Sequence, residues 1–433
     1  MKIAMVAPPW LPIPPVGYGG IENVLAALVP ALMEEGVEVE LFTVGDTTLK
    51  ANKNHWLYEK GQYDYIHAPM YDSLPVPVAH TFFAFNTVKA AGDFDVVHTH
   101  NTVFVDVLGG AFAESLPPII HTLHGPPFTT PDRLALNLAD NMPMWEQIGR
   151  STAKNFYVVG ISKALMASAP KALQHLSLKP VHNGINPSEF TYREQKDDYF
   201  ITLARSHPEK GQGIAARLCH DLGYKLRMAG VVADMTRPKQ VMMELANPLS
   251  KYRGLADFRY FSDAIFPYLN SAIEYVGDVS GQAKMDFLSS AKALLFPIQW
   301  EEPFGMAPIE ALACGTPVVS MARGALREII QHGVNGFLAN DEQEFKYYMQ
   351  RVDDIDPAAC RKSVEDNFSA RHMAQEYIKR YKTVMRRRQR QRMTVKSVAK
   401  KTLSPLRPQI PKPVLDPGGI SVTLEGGGRT VSI

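Results

Sequence analysis

The stretch Phe296–Ser320, FPIQWEEPFGMAPIEALACGTPVVS, carries two carboxylates, Glu302 and Glu310, with seven residues between them. It opens on the end of an apolar run, Ala293-Leu294-Leu295-Phe296, that reads as a buried strand. A loop follows, ending in Pro303-Phe304-Gly305. Helix signals then run from Met306 to Ala313 and are stopped by Gly315 and Pro317. Strand, loop, helix, strand is the resulting order, so the helix N-terminus points into a loop at a strand's carboxyl end. Such a terminus presents free backbone N–H groups and about half a positive charge, which suits phosphate. The two acids frame it. An acid pair at this spacing is weak by itself, because a first-turn acid and a solvated loop acid are both common. Here it lies in a glycine-containing loop between two buried strands.

Cations, a histidine and a glycine loop complete the candidate chemistry. Arg205 and Lys210 follow the apolar run Phe200–Ala204, beside a helix start at Glu209-Lys210-Gly211. Arg offers a bidentate fork and Lys a point charge to an anion. His124 directly follows the run Ile119–Leu123 and precedes Gly125, so its side chain should face a crevice. The loop Gly17-Tyr18-Gly19-Gly20 with Glu22 lies between the first strand and the first helix. A dinucleotide fingerprint fails there, because Glu22 stands where the third glycine is needed and Pro8–Pro15 breaks the tight turn. A flexible loop that approaches a bulky ligand fits better. His98/His100 and His121/His124 invite a zinc reading, but no cysteine or carboxylate completes it. Asp93-Phe94-Asp95 spells a metal–diphosphate motif before a strand rather than after one, and reads as a solvated turn.

The elements that must position these residues alternate. Apolar runs at Ile3–Ala7, Val37–Val44, Phe94–His98, Ile119–Leu123 and Tyr157–Ile161 read as strands, with helical stretches at Ile21–Glu35, Val103–Ala113 and from Ser162. A polar segment, Tyr192–Asp198, reads as a linker. A second series follows, with strands at Phe200–Ala204, Leu226–Gly230, Glu274–Gly277 and Ala293–Pro297, and helices at Gln282–Ser290 and Arg323–Ile330. Strands spaced by helices imply parallel, doubly wound α/β sheets whose ligands bind outside the strands' carboxyl ends. His98, His100, His124, Ser162 and Asn183 all fall at such ends. The expected organisation is a first domain over 1–192, a second over 193–370, a helix over 371–392 and a basic, disordered tail over 393–433. Within the second series, 234–257 has no clear period and reads as a surface insertion.

Length and composition agree. The chain has 433 residues, too many for one core of usual size, and 45% hydrophobic content, as in globular proteins. No apolar run approaches the 18 residues of a membrane span. The N-terminal MKIAMVAPPW is too short and proline-ended for a signal peptide. Cys219, Cys314 and Cys360 form no paired motif and read as reduced core residues. Net charge is only +2, yet Tyr377–Ile433 holds fourteen Lys and Arg against two acids, Asp416 and Glu425. That segment is expected to meet an anionic surface, the inner face of a membrane, rather than nucleic acid, because no aromatics interleave after Tyr381.

The acid pair with Phe304-Gly305 and the following Ala-Cys-Gly-Thr-Pro resembles the donor-binding signature of retaining GT-B glycosyltransferases of family 4. The Gly-Gly-x-Glu loop, His124-Gly125, and Arg205 with Lys210 agree with it, and the resemblance spans roughly residues 1–385. It implies a GT-B fold, two Rossmann-like domains facing a central crevice, with the C-terminal helix crossing back to the first domain. It implies transfer of a hexose from a nucleotide-sugar to a hydroxyl acceptor. UDP-glucose is the first donor to expect and GDP-mannose the second. Arg205 and Lys210 would grip the donor diphosphate and Glu310 the ribose. Glu302 and the backbone at Phe304, Gly305 and Met306 would hold the sugar hydroxyls. His124, Gly19, Gly20 and Glu22 would lie beside the donor. Neither metal nor other cofactor is expected, and the acceptor is a sugar, a lipid-linked or a small molecule. A cytoplasmic protein, peripheral at the inner membrane face, follows. Two rivals remain: a sugar phosphorylase on the same fold, for which no pyridoxal-lysine motif is visible, and a non-catalytic nucleotide-sugar-binding protein.

Overall fold

A computed structural model describes residues 1–402, apart from 18, 67, 101–104, 127–139 and 153–154, and without the side chains of 105–107, 151–152, 392 and 394–402. The first sheet holds β1 (Lys2–Val6), β2 (Glu38–Thr43), β3 (Lys53–Trp56), β4 (Val96–Thr99), β5 (Ile119–Leu123) and β6 (Phe156–Gly160). The second holds β7 (Phe200–Leu203), β8 (Leu226–Ala229), β9 (Ile273–Gly277), β10 (Ala293–Phe296), β11 (Val318–Met321) and β12 (Gly336–Ala339). The helices that matter for the site are α1 (Gly20–Glu34), α2 (Pro75–Ala91), α3 (Lys163–Ala167), α4 (Gln212–Leu222), α5 (Gly281–Ser290), α6 (Met306–Ala313), α7 (Leu326–Ile329) and α8 (Ala370–Thr402).

Every strand pair is parallel, and the orders are β3-β2-β1-β4-β5-β6 and β12-β11-β10-β7-β8-β9. Each sheet is thus doubly wound and reverses direction once, between β1 and β4 in the first and between β7 and β10 in the second. Crevices open outside the carboxyl ends of strands at such reversals. Parallel sheets with helices on both faces need strands apolar on both sides. β1, β4, β5, β6 and β10 meet this with almost wholly buried residues.

Differences from the expected elements have local causes. β3, Lys-Asn-His-Trp, has no apolar run; it forms because its backbone extends β2 at the sheet edge, with His55 stacked 4.5 Å from Phe42 and hydrogen-bonded to Glu40. The segment 234–257 is not an irregular insertion throughout, since Pro238–Ala246 is helical behind a Pro at its first position. α8 continues to Thr402 rather than stopping near 392, because no Gly or Pro interrupts it before Pro405.

From Ala370 to Val384, α8 packs into the core of the first sheet, burying Met373, Ala374, Tyr377, Tyr381 and Val384. Arg371 and Gln375 bond Glu35 of the same half, at 2.8 and 3.1 Å. The chain divides into two compact units, Met1–Arg388 and Gln389–Ile433. Of the second unit, the described part is the helical continuation to Thr402. The tail beyond it, including an expected short strand at 420–424, lies outside the described residues.

Candidate active site

Two loops from the reversal of the second sheet build the centre of the site. The loop after β7 carries Arg205 to Gly211, and the loop after β10 carries Pro297 to Gly305. They touch through backbone: Gln299 N–H donates to Glu209 O at 2.7 Å. Gly211 has a φ of +69°, and a Cβ there would lie 1.9 Å from Pro297 O, so only glycine permits this approach. The contact brings Lys210 to Glu302, Nζ to Oε2 at 2.6 Å, with both side chains largely buried. Trp300 Nε1–H donates to the same oxygen at 2.9 Å, and its ring lies 5.1 Å from the Lys210 ammonium.

α6 begins immediately beyond. Gly305 enters it at φ +111°, which an L side chain rarely adopts. Pro308 has no N–H, and among the described residues the Met306 and Ala307 N–H groups donate to no protein acceptor. Glu310 lies on the second turn, 8% exposed, its carboxylate bonded by Lys284 of α5, Nζ to Oε1 at 2.7 Å. Phe304 turns inward instead. It is buried against His182 and Phe368, at ring distances of 5.8 and 6.1 Å, so only its backbone is available to a ligand. Arg205 is half-exposed and leans on Asp257, 3.4 Å away, which also faces His207.

From the first half, His124 stands at the end of β5, partly exposed, with Nε2 2.9 Å from His100 Nδ1. His100 and His98 end β4, and their rings pack 4.2 Å apart. His98 reaches Tyr381 of α8 and Thr122 of β5 at 2.7 and 2.8 Å, and Thr122 reaches Tyr377 at 2.9 Å. Burial holds His98 and His100 well below the usual histidine range and pushes His124 down to about 3, with His121 adding to the shift at His124. These rings are neutral at physiological pH. Among the described residues, no group of three or more His, Cys, Asp or Glu is placed to hold a metal ion.

At the other strand end of that reversal, Gly19 and Gly20 open α1. A Cβ on Gly19 would meet the Pro15 ring at 2.6 Å and the Glu22 carboxylate at 3.2 Å. Glu22 itself is 5% exposed, and burial raises its pKa. The structure thus joins Lys210 to Glu302, three residues ahead of the Gly305–Met306 helix start, while Glu310 is paired with Lys284, Arg205 with Asp257 and His124 with His100.

Family comparisons decide the identity. The model for Glycosyltransferase Family 4 matches residues 18–189, and that for Glycosyl transferases group 1 matches residues 188–355. The chain is a family 4 glycosyltransferase of the GT-B type. An uncharacterized glycosyltransferase of Methanocaldococcus jannaschii is 27% identical over 358 residues, 78% of this chain and 84% of that one. A D-inositol 3-phosphate glycosyltransferase of Pseudarthrobacter chlorophenolicus is 23% identical over 350 residues, 74% of this chain and 78% of that one. Among solved structures, the sucrose-phosphate synthase of Thermosynechococcus elongatus matches with a TM-score of 0.64 at 19% identity, covering 88% of this chain and 98% of that one. An Anabaena protein in complex with UDP-glucose matches with a TM-score of 0.59 at 16% identity, covering 88% and 100%. These last two likenesses show the fold.

Several residues of this glycosyltransferase escape sequence reasoning. Lys284 and Asp257 are far in sequence from the acids and cations they meet. Glu328 of α7, read only as an acid near a helix start, reaches across to the first half. It accepts from the Lys163 and Ala164 N–H groups of α3 at 3.1 and 2.8 Å and pairs with His182 Nε2 at 2.8 Å. Burial raises its carboxyl, and the bonds from His182, Ala164 and Lys163 more than offset that, leaving it below its usual value. Trp300 alone had a local signal, an indole two positions before Glu302 in a polar loop.

Proposed function

We propose that this glycosyltransferase moves a hexosyl group from a nucleotide-sugar to a hydroxyl acceptor with retention of anomeric configuration. The observation that carries the reading is the meeting of Lys210 and Glu302 where the β7 and β10 loops converge, in the loop that leads into α6 and its open N–H groups. Cleavage of the donor loads negative charge onto the leaving diphosphate and leaves the anomeric carbon cationic. Lys210, Arg205 and the α6 terminus stabilise that charge in a preorganised site. An entering diphosphate would replace Glu302 as partner of Lys210 and free Glu302 for sugar hydroxyls. Glu310, held by Lys284, accepts from the ribose hydroxyls, and His124 with the Gly19–Glu22 turn lies beside the sugar. Glu302, still bonded by the Trp300 indole and taken up by the sugar hydroxyls, is not free to act as a nucleophile. The acceptor oxygen therefore attacks on the face the diphosphate leaves: the new C1–O bond forms as the old one breaks, and the acceptor proton passes to a phosphate oxygen.

UDP-glucose is the donor of first choice, supported by the Anabaena neighbour solved with it, and GDP-mannose is second. No metal is required, since cations and helix N–H groups supply the charge. A panel of nucleotide-sugars scored by thermal shift and slow hydrolysis tests the reading. One donor should stabilise the protein and be consumed equally with and without EDTA. A panel without any response, or loss in EDTA restored by Mg²⁺, would overturn the respective part. The run of thirteen basic residues from Lys379 to Lys412 is proposed to hold the enzyme at an anionic membrane face. Equal co-sedimentation of the full chain and a chain ending at Arg388 with anionic vesicles would argue against that.

A further inference from the structure

His124 and His100 form a two-ring unit whose protons are not arbitrary. A neutral imidazole carries one N–H and one bare nitrogen. The bond between His100 Nδ1 and His124 Nε2, at 2.9 Å, therefore has one donor and one acceptor. The second nitrogen of His100, Nε2, is buried and has no partner among the described residues. His100 is 0% exposed. The second nitrogen of His124, Nδ1, has no protein partner among the described residues and is not buried, as His124 is itself partly exposed.

Two arrangements are possible. If His124 donates, the proton of His100 must lie on Nε2, a buried N–H with nothing to receive it. If His100 donates, its Nε2 is a bare lone pair and the remaining proton of the unit lies on His124 Nδ1, open to the crevice. Orphaned buried N–H groups are rare in folded proteins, and under-satisfied acceptors are less so. The second arrangement is the one the surroundings support. The groups around the unit do not reverse it: the His98 ring packs against His100 at a tilt of 46° and spends its own nitrogens on Tyr381 and Thr122, and the His121 Nδ1 engages Thr99.

We propose that His100 is a positioning residue for His124, donating its Nδ1–H to His124 Nε2 so that His124 turns an Nδ1–H into the crevice as an uncharged hydrogen-bond donor. His124 then serves an acceptor oxygen of the bound sugar or phosphate and is not a proton-abstracting base. The role assigned to the crevice rests on the functional reading above; the tautomer does not, and can be read without any donor.

Long-range ¹H–¹⁵N correlation spectra of ring-labelled full-length protein, assigned with His124→Asn and His100→Asn, test it. The native protein should show His124 protonated at Nδ1 and His100 at Nδ1. A His124 protonated at Nε2 would overturn the proposal whatever the enzyme's substrates are. His100→Asn places an amide N–H close to the position of the imidazole Nδ1–H, whereas His100→Leu removes the donor. With the donor that the native protein consumes, His100→Leu should lose about tenfold in turnover, as expected for one hydrogen bond of ordinary strength, and His100→Asn should recover most of it. Equal losses in the two variants, or a His100→Leu that turns over like the native protein, would reduce His100 to a packing residue. A panel with no consumed donor would count against the functional reading alone, with the tautomer measurement still deciding this one.

Discussion

Glu310 and Lys210 illustrate how differently two charges in one site should respond to removal. Glu310 is fixed by Lys284 on a buried helical turn and meets only the ribose in the proposed complex. Glu310→Ala should therefore weaken nucleotide binding by about 1.5–3 kcal/mol per bond lost, with little change in fold; unchanged affinity in calorimetry would end the assignment. Lys210 opposes charge that grows as the donor breaks. Lys210→Ala should lower turnover at saturating donor by about 2.7–4 kcal/mol, the cost typical of one lost transition-state donor. Turnover within about twofold of native would remove Lys210 from the leaving-group site. These acids and cations are legible in the sequence because each follows an apolar run or opens a helix. Their partners Lys284 and Asp257 are not, because pairing across 26 and 52 residues leaves no local pattern. Phe304 shows the limit of motif reading: it is in the right loop, and its ring belongs to the packing between His182 and Phe368.

Elements carry the histidines into the site, and their burial has a pH signature. β4 and β5 end in His98, His100 and His124, and α2 contributes His80, whose Nε2 bonds Ala7 O and which burial holds near 4. All four are depressed from an ordinary value near 6.5. The unfolded chain takes up these protons before the folded one does, so stability is fully present above pH 6.5 and falls as pH drops toward 4. Each fully depressed ring contributes at most about 1.4 kcal/mol per pH unit. Glu22, raised by burial, opposes this as a single group, while Glu328 acts in the same sense as the histidines. The melting temperature should decline steeply between pH 6.5 and 4.5; a flat profile there would contradict neutral burial of the cluster. Strands of continuous apolar residues, such as β5 and β10, announce themselves in sequence. β3 and β12 do not, since four-residue edge strands, one beginning with Gly336, owe their form to a neighbour's backbone. α2 likewise escapes, with Pro75 and Pro77 at its start and no clear apolar stripe.

At the scale of the molecule, two devices join the halves. α8 returns from the second half to the core of the first, and Glu328 clasps the α3 terminus and His182 across the crevice. Glu328→Ala should free two backbone N–H groups and a histidine, lower stability by about 1–3 kcal/mol and admit more open arrangements. Small-angle scattering should then give a larger radius of gyration than native; identical curves would mean the clasp does not set the closure. The GT-B architecture was legible because the strand–helix alternation occurs twice with a polar segment between. The clasp was not, since nothing local marks an acid that works on the opposite half. The central claim, cleavage of a nucleotide-sugar with its anomeric configuration kept, is tested most directly by proton NMR of slow donor hydrolysis, starting with UDP-α-glucose. The α-anomer should be the first free sugar to appear. The β-anomer appearing first, or no consumption of any nucleotide-sugar in the panel, would contradict the account.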